Sequence, residues 1–421
     1  MAFEKELQLG KDSLWVLAAR LGAQGALALF TILIARRFGS AGFGEYAFIA
    51  SAVFIGNMLT TFGTDMLLIR EIAANRDFSQ FIPSLLLQLF LSIVLIIIAW
   101  ILPPLPGQSA AGWLALKIYG LALVPFAFFT VFSSVLRGFQ RMDHYAALNL
   151  SISLLQLTVT FVFIDTRSNI VSLARLLLAV QVAAAILAGW LCRGQFSNFR
   201  PLEQFSLHQF RPVLPLAALS ILGILYQRMG ILLVTFFLGA LATGYFSAAQ
   251  RVVEFAKTAH LAIFTVLYPA MAKSRVGLKD FRIVWLVLLT GALIAALGIS
   301  LLASPLTLIL FGAEYAASIP LLRLLPWMLV PFTIATFLSL SLVASNREKP
   351  VLTALVAGLL TLIALNILWT PRFGIIGTGW ALLLAECLQA GALIVQYPKK
   401  TVAVTTSPAS PAETGAVAPN D

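Results

Sequence analysis

Twelve apolar runs, each long enough to cross a membrane, dominate this chain and leave few folds open to it. They lie near residues 13–35, 43–66, 80–102, 111–136, 145–165, 170–192, 212–238, 243–270, 282–310, 317–344, 350–370 and 374–396. The hydrocarbon core of a bilayer is about 30 Å thick, so a spanning helix needs roughly 20 apolar residues. Barrel strands would read as alternating segments of about 10 residues; these runs are longer and apolar all round. The chain is 60% hydrophobic and 11% charged, whereas a soluble domain carries about a quarter charged residues. The expected class is therefore an all-α polytopic membrane protein of about 12 transmembrane helices. The first run exceeds the apolar core of about 7–15 residues found in a signal peptide and carries Arg20 inside it, so it reads as a spanning helix.

Net charge is +11, which in a soluble chain would raise nucleic-acid binding, but the placement of the charges argues otherwise. Arg70, Arg76, Arg137, Arg141, Arg193, Arg200, Arg211, Lys273, Arg347, Lys349, Lys399 and Lys400 all fall at even-numbered connections or at the termini. The opposite connections hold Arg36, Arg37, Arg167 and Arg372. By the positive-inside rule both termini are expected in the cytoplasm, and the basic excess is a topology signal with no nucleic-acid partner implied.

The segment from Arg193 to Pro212 separates six runs from the next six. The expected organisation is an N-terminal six-helix lobe over 1–192, a cytoplasmic connecting loop over 193–211, a C-terminal six-helix lobe over 212–397, and a disordered cytoplasmic tail over 398–421. That tail is rich in Ala, Pro, Thr and Ser and has no apolar periodicity. FGSAGFGEYAF (Phe38–Phe48) resembles LGALATGYFSA (Leu238–Ala248), with Gly39 and Gly44 answering Gly239 and Gly244. Each segment joins the first two helices of a half. Because six is even, both halves enter the membrane from one side, which predicts parallel repeats related by a pseudo-twofold axis along the membrane normal. Pro125, Pro215, Pro305, Pro326 and Pro331 lie inside the runs, where each permits a kink.

Ionisable groups at membrane depth are costly and mark functional positions unless they reach the interface. Lys117, Arg175 and Arg323 lie near helix ends and are expected to snorkel. Arg228 stands about 24 Å from the start of the seventh run, at 1.5 Å per residue. Arg251, Glu254 and Lys257 follow at steps of three, so they share one side of the eighth helix. With Arg20 they would give a cavity between the halves a cationic surplus suited to an anionic ligand, since guanidinium groups bind phosphate oxygens bidentately. Glu254 and Glu386 are the candidates for charge pairing or ion coupling, with Glu45 near a helix end as a weaker one. The other reading of these charges is structural, with Glu254 bridging Arg251 or Lys257.

Cys192 and Cys387, and His144, His208 and His260, match no metal or redox spacing, so neither metal nor cofactor is expected. The chain lacks GxxxxGK[ST] and GxSxG sequences. The extracytoplasmic connections are short, which argues for transport over polymerisation or ligation.

RRFGSAGFGEYAF after the first run, FGTDMLLIREIA (Phe62–Ala73) and VLRGFQRMDHYAALN (Val135–Asn149) resemble the oligosaccharide flippase family. So do LYQRMGILLVTFFLG (Leu225–Gly239), GYFSAAQRVVEF (Gly244–Phe255) and GIIGTGWALLLAE (Gly374–Glu386). The resemblance implies a two-lobed transporter of the multidrug, oligosaccharidyl-lipid and polysaccharide exporter superfamily, in a bacterial-type cytoplasmic membrane. Its implied substrate is a polyprenyl-diphosphate-linked glycan, such as an O-antigen or teichoic-acid-type unit, driven across by a proton or sodium gradient, with a glycan polymerase and other assembly proteins as partners. Where related members often carry an Asp shortly after the position of Arg228, this chain has Gly230. Drug-exporting relatives commonly place an acid in the first or seventh helix; this chain has Arg20 and Arg228 there. A cation-coupled multidrug antiporter of the same fold, and a membrane glycan polymerase or ligase, stay open beside the flippase.

Overall fold

A computed structural model of the protein describes residues 2–104, 107–165, 168–198, 214–273, 282–345 and 347–397. Most of the expected connecting loop, from 199 onward, and the tail over 398–421 lie outside the described residues. Among the described residues there are helices and no strands. In chain order they are α1 (Ala2–Thr61), α2 (Thr64–Asn75), α3 (Phe81–Ile101), α4 (Ala110–Gly120), α5 (Leu123–Gly138), α6 (Met142–Phe163) and α7 (Ile170–Cys192). Then follow α8 (Leu214–Lys273), α9 (Arg282–Leu301), α10 (Ala303–Leu310), α11 (Ile319–Leu324), α12 (Leu329–Ala344) and α13 (Glu348–Gln396). Eight helical stretches among these residues are long and apolar enough to cross a membrane, and α9 with α10, bent by 69°, makes a ninth.

The tight turns expected near 36–42, 239–242 and 371–373 each shrink to one residue. Helix runs up to a single glycine and resumes directly after it, at Gly39 (φ 66°, ψ −175°), Gly239 (φ 78°, ψ −176°) and Gly374 (φ 63°, ψ −148°). An L side chain is strained in that region of backbone space, so glycine alone turns the chain there without a connecting loop. Conversely, four expected runs are interrupted, one of them at 43–66, where α1 ends at Thr61 and α2 begins at Thr64. The run at 111–136 divides into α4 and α5, that at 282–310 into α9 and α10, and that at 317–344 begins with 3-10 turns around α11. The prolines explain part of this. Pro125, Pro305 and Pro331 are the third residues of α5, α10 and α12, and Pro326 sits in the first turn of a 3-10 segment. A proline in a first turn gives up no bond of its own helix but cannot continue the preceding one, so the runs break just before these residues, with a 69° bend ahead of Pro305. Pro371, three residues before Gly374, lies inside α13.

The halves meet along α1 and α8. At the end marked by Gly39 and Gly239 the approach is reciprocal: a methyl group on Gly44 would come within 1.8 Å of the Ala240 carbonyl oxygen, and one on Gly244 within 1.8 Å of the Ser40 carbonyl oxygen. A short sequence recurs at the start of two helices. Leu-Val-Pro-Phe opens both α5 (Leu123–Phe126) and α12 (Leu329–Phe332), and each of these helices has 16 residues. Lys117 and Arg323 precede the two motifs at equal spacing. One apolar cluster gathers Phe30, Phe43, Trp113 and Leu173 with Phe311 and Tyr315; a second is built from Ile231, Val234, Phe246, Leu321, Leu362 and Leu382.

Candidate functional site

Gly239 folds α8 back on itself, and that turn places the site. Arg228 precedes the glycine by 11 residues and Arg251 follows it by 12. At 1.5 Å per residue both stand about 17 Å from the turn, near the middle of a core of about 30 Å. Glu254 lies between them. Its Oε1 accepts from Arg228 Nη1 at 3.4 Å and from Gln250 Nε2 at 3.2 Å, and its Oε2 accepts from Arg251 Nη1 at 2.9 Å. Both arginine side chains are 16% exposed, the carboxylate more so. The Arg228 guanidinium also lies 5.3 Å from the ring centroid of Phe54, so the cluster touches the first half of the chain through a cation–π contact.

One turn further along α8, Lys257 Nζ donates to Glu386 Oε1 of α13 at 2.6 Å and sits 4.4 Å from the ring centroid of Phe332. Glu386 is 3% exposed. The structural bridge from Glu254 to Arg251 or Lys257 is thus met at Arg251; Glu254 also takes Arg228, while Lys257 takes a different acid. The five groups carry three positive and two negative charges, a smaller surplus than Arg228, Arg251 and Lys257 set against Glu254 alone. Each guanidinium has five N–H donors, and the contacts named use few of them. Arg228 Nε is buried without a partner, as are Gln250 Oε1, Ser247 Oγ and Tyr226 Oη close by in sequence.

Arg20 is not drawn into this cluster. It lies 19 residues before Gly39, about 28 Å along the helix, is exposed, and has no hydrogen-bond or ion-pair partner among the described residues. Lys117 behaves as an interfacial residue, donating to Trp100 O at 3.1 Å with its ammonium 5.6 Å from that ring. Arg175 and Arg323 are exposed. Cys192 is buried and donates to Phe132 O at 3.1 Å, as a packing residue would, whereas Cys387 is exposed.

A second polar cluster escaped the sequence reading. At the Gly39 end, Glu314 Oε1 accepts from both the backbone N–H and the hydroxyl of Ser40 at 2.6 Å, and Tyr315 donates to Ala35 O at 3.0 Å. Arg36 donates to the Leu310 carbonyl at 2.9 Å and to that of Ile309, while Arg37 donates to Phe161 O at 2.9 Å. Neighbouring arginines of α1 therefore cap the last carbonyls of α10 and α6, where the helix dipole favours positive charge. The pseudo-equivalent contact is bare: Gly107 packs on Gly239, where a methyl group would meet Gly239 Cα at 3.0 Å, and the amide of neighbouring Gln108 is buried without partners. The charge of Arg36 and Arg37 was legible, but their targets, some 270 and 120 positions away, were not.

With this geometry in view, comparison with known proteins places the fold. A profile described as polysaccharide biosynthesis protein matches residues 9–275. No curated protein matches the sequence. Among solved structures, a multidrug resistance MATE family transporter of the MOP superfamily in its inward-facing conformation superposes with a TM-score of 0.73 at 15% identity, covering 88% of this chain and 93% of that one. An outward-facing conformation of such a transporter gives 0.65 at 15% identity, over 91% and 93%. The lipid II flippase MurJ in an inward closed conformation gives 0.70 at 14% identity, over 90% and 86%. At these identities the likeness is one of fold: the chain has the polytopic helical architecture of membrane transporters.

Proposed function

The chain belongs to the polysaccharide biosynthesis protein family, and from that premise we propose that it flips a polyprenyl-diphosphate-linked oligosaccharide from the cytoplasmic to the outer leaflet by alternating access. In this reading the breaks at Gly39, Gly239 and Gly374 divide three long helices into two spans each, so that the nine candidate spans become twelve in two six-helix lobes. Both termini are cytoplasmic, in keeping with the positive-inside rule, and the Gly39 and Gly239 end faces outward. The closed contacts made there by Arg36, Glu314 and Tyr315 then belong to an inward-facing state, which the higher TM-score against the inward-facing relative supports.

The observation that carries the proposal is the cationic cluster on the two arms of α8. Arg228 and Arg251, held side by side by one carboxylate, present unused guanidinium donors at mid-depth. Diphosphate oxygens accept such donors in pairs, and low local dielectric strengthens the attraction. Lys257 completes the site, Arg20 meets the headgroup nearer the cytoplasmic mouth, and the polyprenyl tail stays in lipid while the glycan crosses between the lobes. Glycan polymerase and other assembly proteins would receive the product.

A second reading, a cation-coupled multidrug antiporter, is favoured by the MATE likeness and by the buried carboxylate of Glu386. Purified protein in liposomes separates the two. With a fluorescent polyprenyl-diphosphate oligosaccharide, the flippase reading expects protein-dependent access of an impermeant quencher to the label and no transport of a cationic dye. Dye transport without lipid transfer would establish the antiporter instead.

A further inference from the structure

Lys257 and Glu386 differ from the arginine cluster beside them in one respect that bears on energetics: each acid has a different number of alternatives. Glu254 is held by three donors, Arg228, Arg251 and Gln250. Glu386, 3% exposed, has Lys257 as its one hydrogen-bond or ion-pair partner among the described residues. The nearest other cations on α8, Arg228 and Arg251, are bonded to Glu254. Tyr226, on the first arm of α8, is neutral and its hydroxyl is buried without a partner. Cys387 adjoins it on α13 and is exposed. His260, one turn beyond Lys257 on α8, is hydrogen-bonded to Thr333 of α12 at 3.0 Å. Helix α12 itself has no ionisable residue, and Arg323 of α11 is exposed.

A lysine is a compact point charge on a flexible stem and can turn from one anion to another. If it turns to a ligand, Glu386 is left as a buried, unpaired carboxylate. Such a group does not stay ionised; it takes a proton from solvent and becomes neutral. Glu254 differs in that its side chain is 27% exposed against 4% for Glu386 and it also accepts from Gln250, so water and the amide still solvate it.

We propose that Glu386 is a proton-binding site governed by ion-pair exchange: a diphosphate ligand recruits Lys257, and the carboxylate it releases takes up one proton. The inference rests on the anionic-substrate reading above. The bond broken is the Lys257–Glu386 ion pair, the bond formed is lysine to phosphate oxygen, and the proton comes from water to a glutamate oxygen. Because the ligand arrives with a proton, the complex that crosses the membrane carries one negative charge fewer, and by linkage Glu386 makes ligand affinity rise as pH falls.

The test is calorimetric titration of the purified full-length protein with farnesyl diphosphate, repeated in buffers of different ionisation enthalpy to count protons. The wild type should take up about one proton more per ligand than Glu386→Gln, which should still bind. Infrared difference spectra of the wild type, which need no variant, should gain a protonated carboxylic acid band on ligand addition. Binding with equal proton counts in both proteins and no such band would overturn the exchange and leave the flippase reading standing. No binding of farnesyl diphosphate to the wild type would overturn the anionic site and the exchange with it.

Discussion

The residues before 192 and those after 214 repeat a backbone plan without repeating its charges. Gly39 answers Gly239, Gly44 answers Gly244, and Leu-Val-Pro-Phe opens α5 as it opens α12. Yet at the same spacing from the turn where the second half has Arg228, Arg251, Glu254 and Lys257, the first has Ala28, Ser51, Phe54 and Asn57. The first half places neutral polar groups instead: Gln80, Ser84, Gln88 and Ser92 form a buried row on α3, with Gln88 donating to Thr64 Oγ1 at 2.6 Å. What the repeat preserves is what the backbone needs at its turns and closest approaches. What it varies is the chemistry at mid-depth, where the charged cluster falls to one side of the interface.

Disrupting the shared plan should have the largest effect. Gly244→Val places its first carbon against the Ser40 carbonyl oxygen, and should cost about 3 kcal/mol or more. Loss of a monodisperse, folded protein on size exclusion and thermal unfolding would show it. Gly25→Ala, with no neighbour within 4 Å, should leave both unchanged. Gly239→Ala, forced into the positive-φ region, should cost about 1–3 kcal/mol, read as a lowered unfolding temperature in detergent.

Moving charge between halves should sharpen the comparison. Glu254→Gln removes the carboxylate that holds two arginines and should slow transfer by roughly tenfold, the size of one charge-assisted bond of about 1.5–3 kcal/mol. Adding Phe54→Glu to that variant supplies an acid to Arg228 from the opposite half and should restore part of the rate, since that ring already lies 5.3 Å from the guanidinium. A double variant no better than Glu254→Gln would show that the acid must sit on α8. The smallest effect is expected from Glu314→Gln, which weakens one closing contact, with a shift of about 1 kcal/mol toward the outward-open state. Faster labelling by an impermeant reagent of a cysteine placed at Phe311, which is buried against Phe43 at the same end, would report it.

Much of this was legible in the chain and some was not, for physical reasons. Helix existence follows from burial in lipid, and every expected run is occupied by helix. The turns at Gly39, Gly239 and Gly374 fall at or beside the expected connections, but their economy was not legible, because one glycine in a left-handed conformation replaces a whole connection; early prolines divide runs that hydropathy joins. The side shared by Arg251, Glu254 and Lys257 was readable from steps of three. That Glu386 would meet Lys257 was not, because the two belong to helices 129 positions apart and no local rule relates their faces. The mid-depth of Arg228 emerged from run length, but its contact with Phe54 depends on how two halves pack.

The central claim is that the paired arginines of α8 hold an anionic headgroup. The direct measurement is the rate at which a fluorescent polyprenyl-diphosphate oligosaccharide becomes accessible to an impermeant quencher in liposomes containing wild type, Arg228→Gln/Arg251→Gln, or Ser51→Ala/Asn57→Ala. The account predicts that the arginine variant, shown to be folded, loses about a hundredfold in rate, two charge-assisted bonds' worth, while the first-half variant stays within about twofold of wild type. Undiminished transfer by the arginine variant would contradict it.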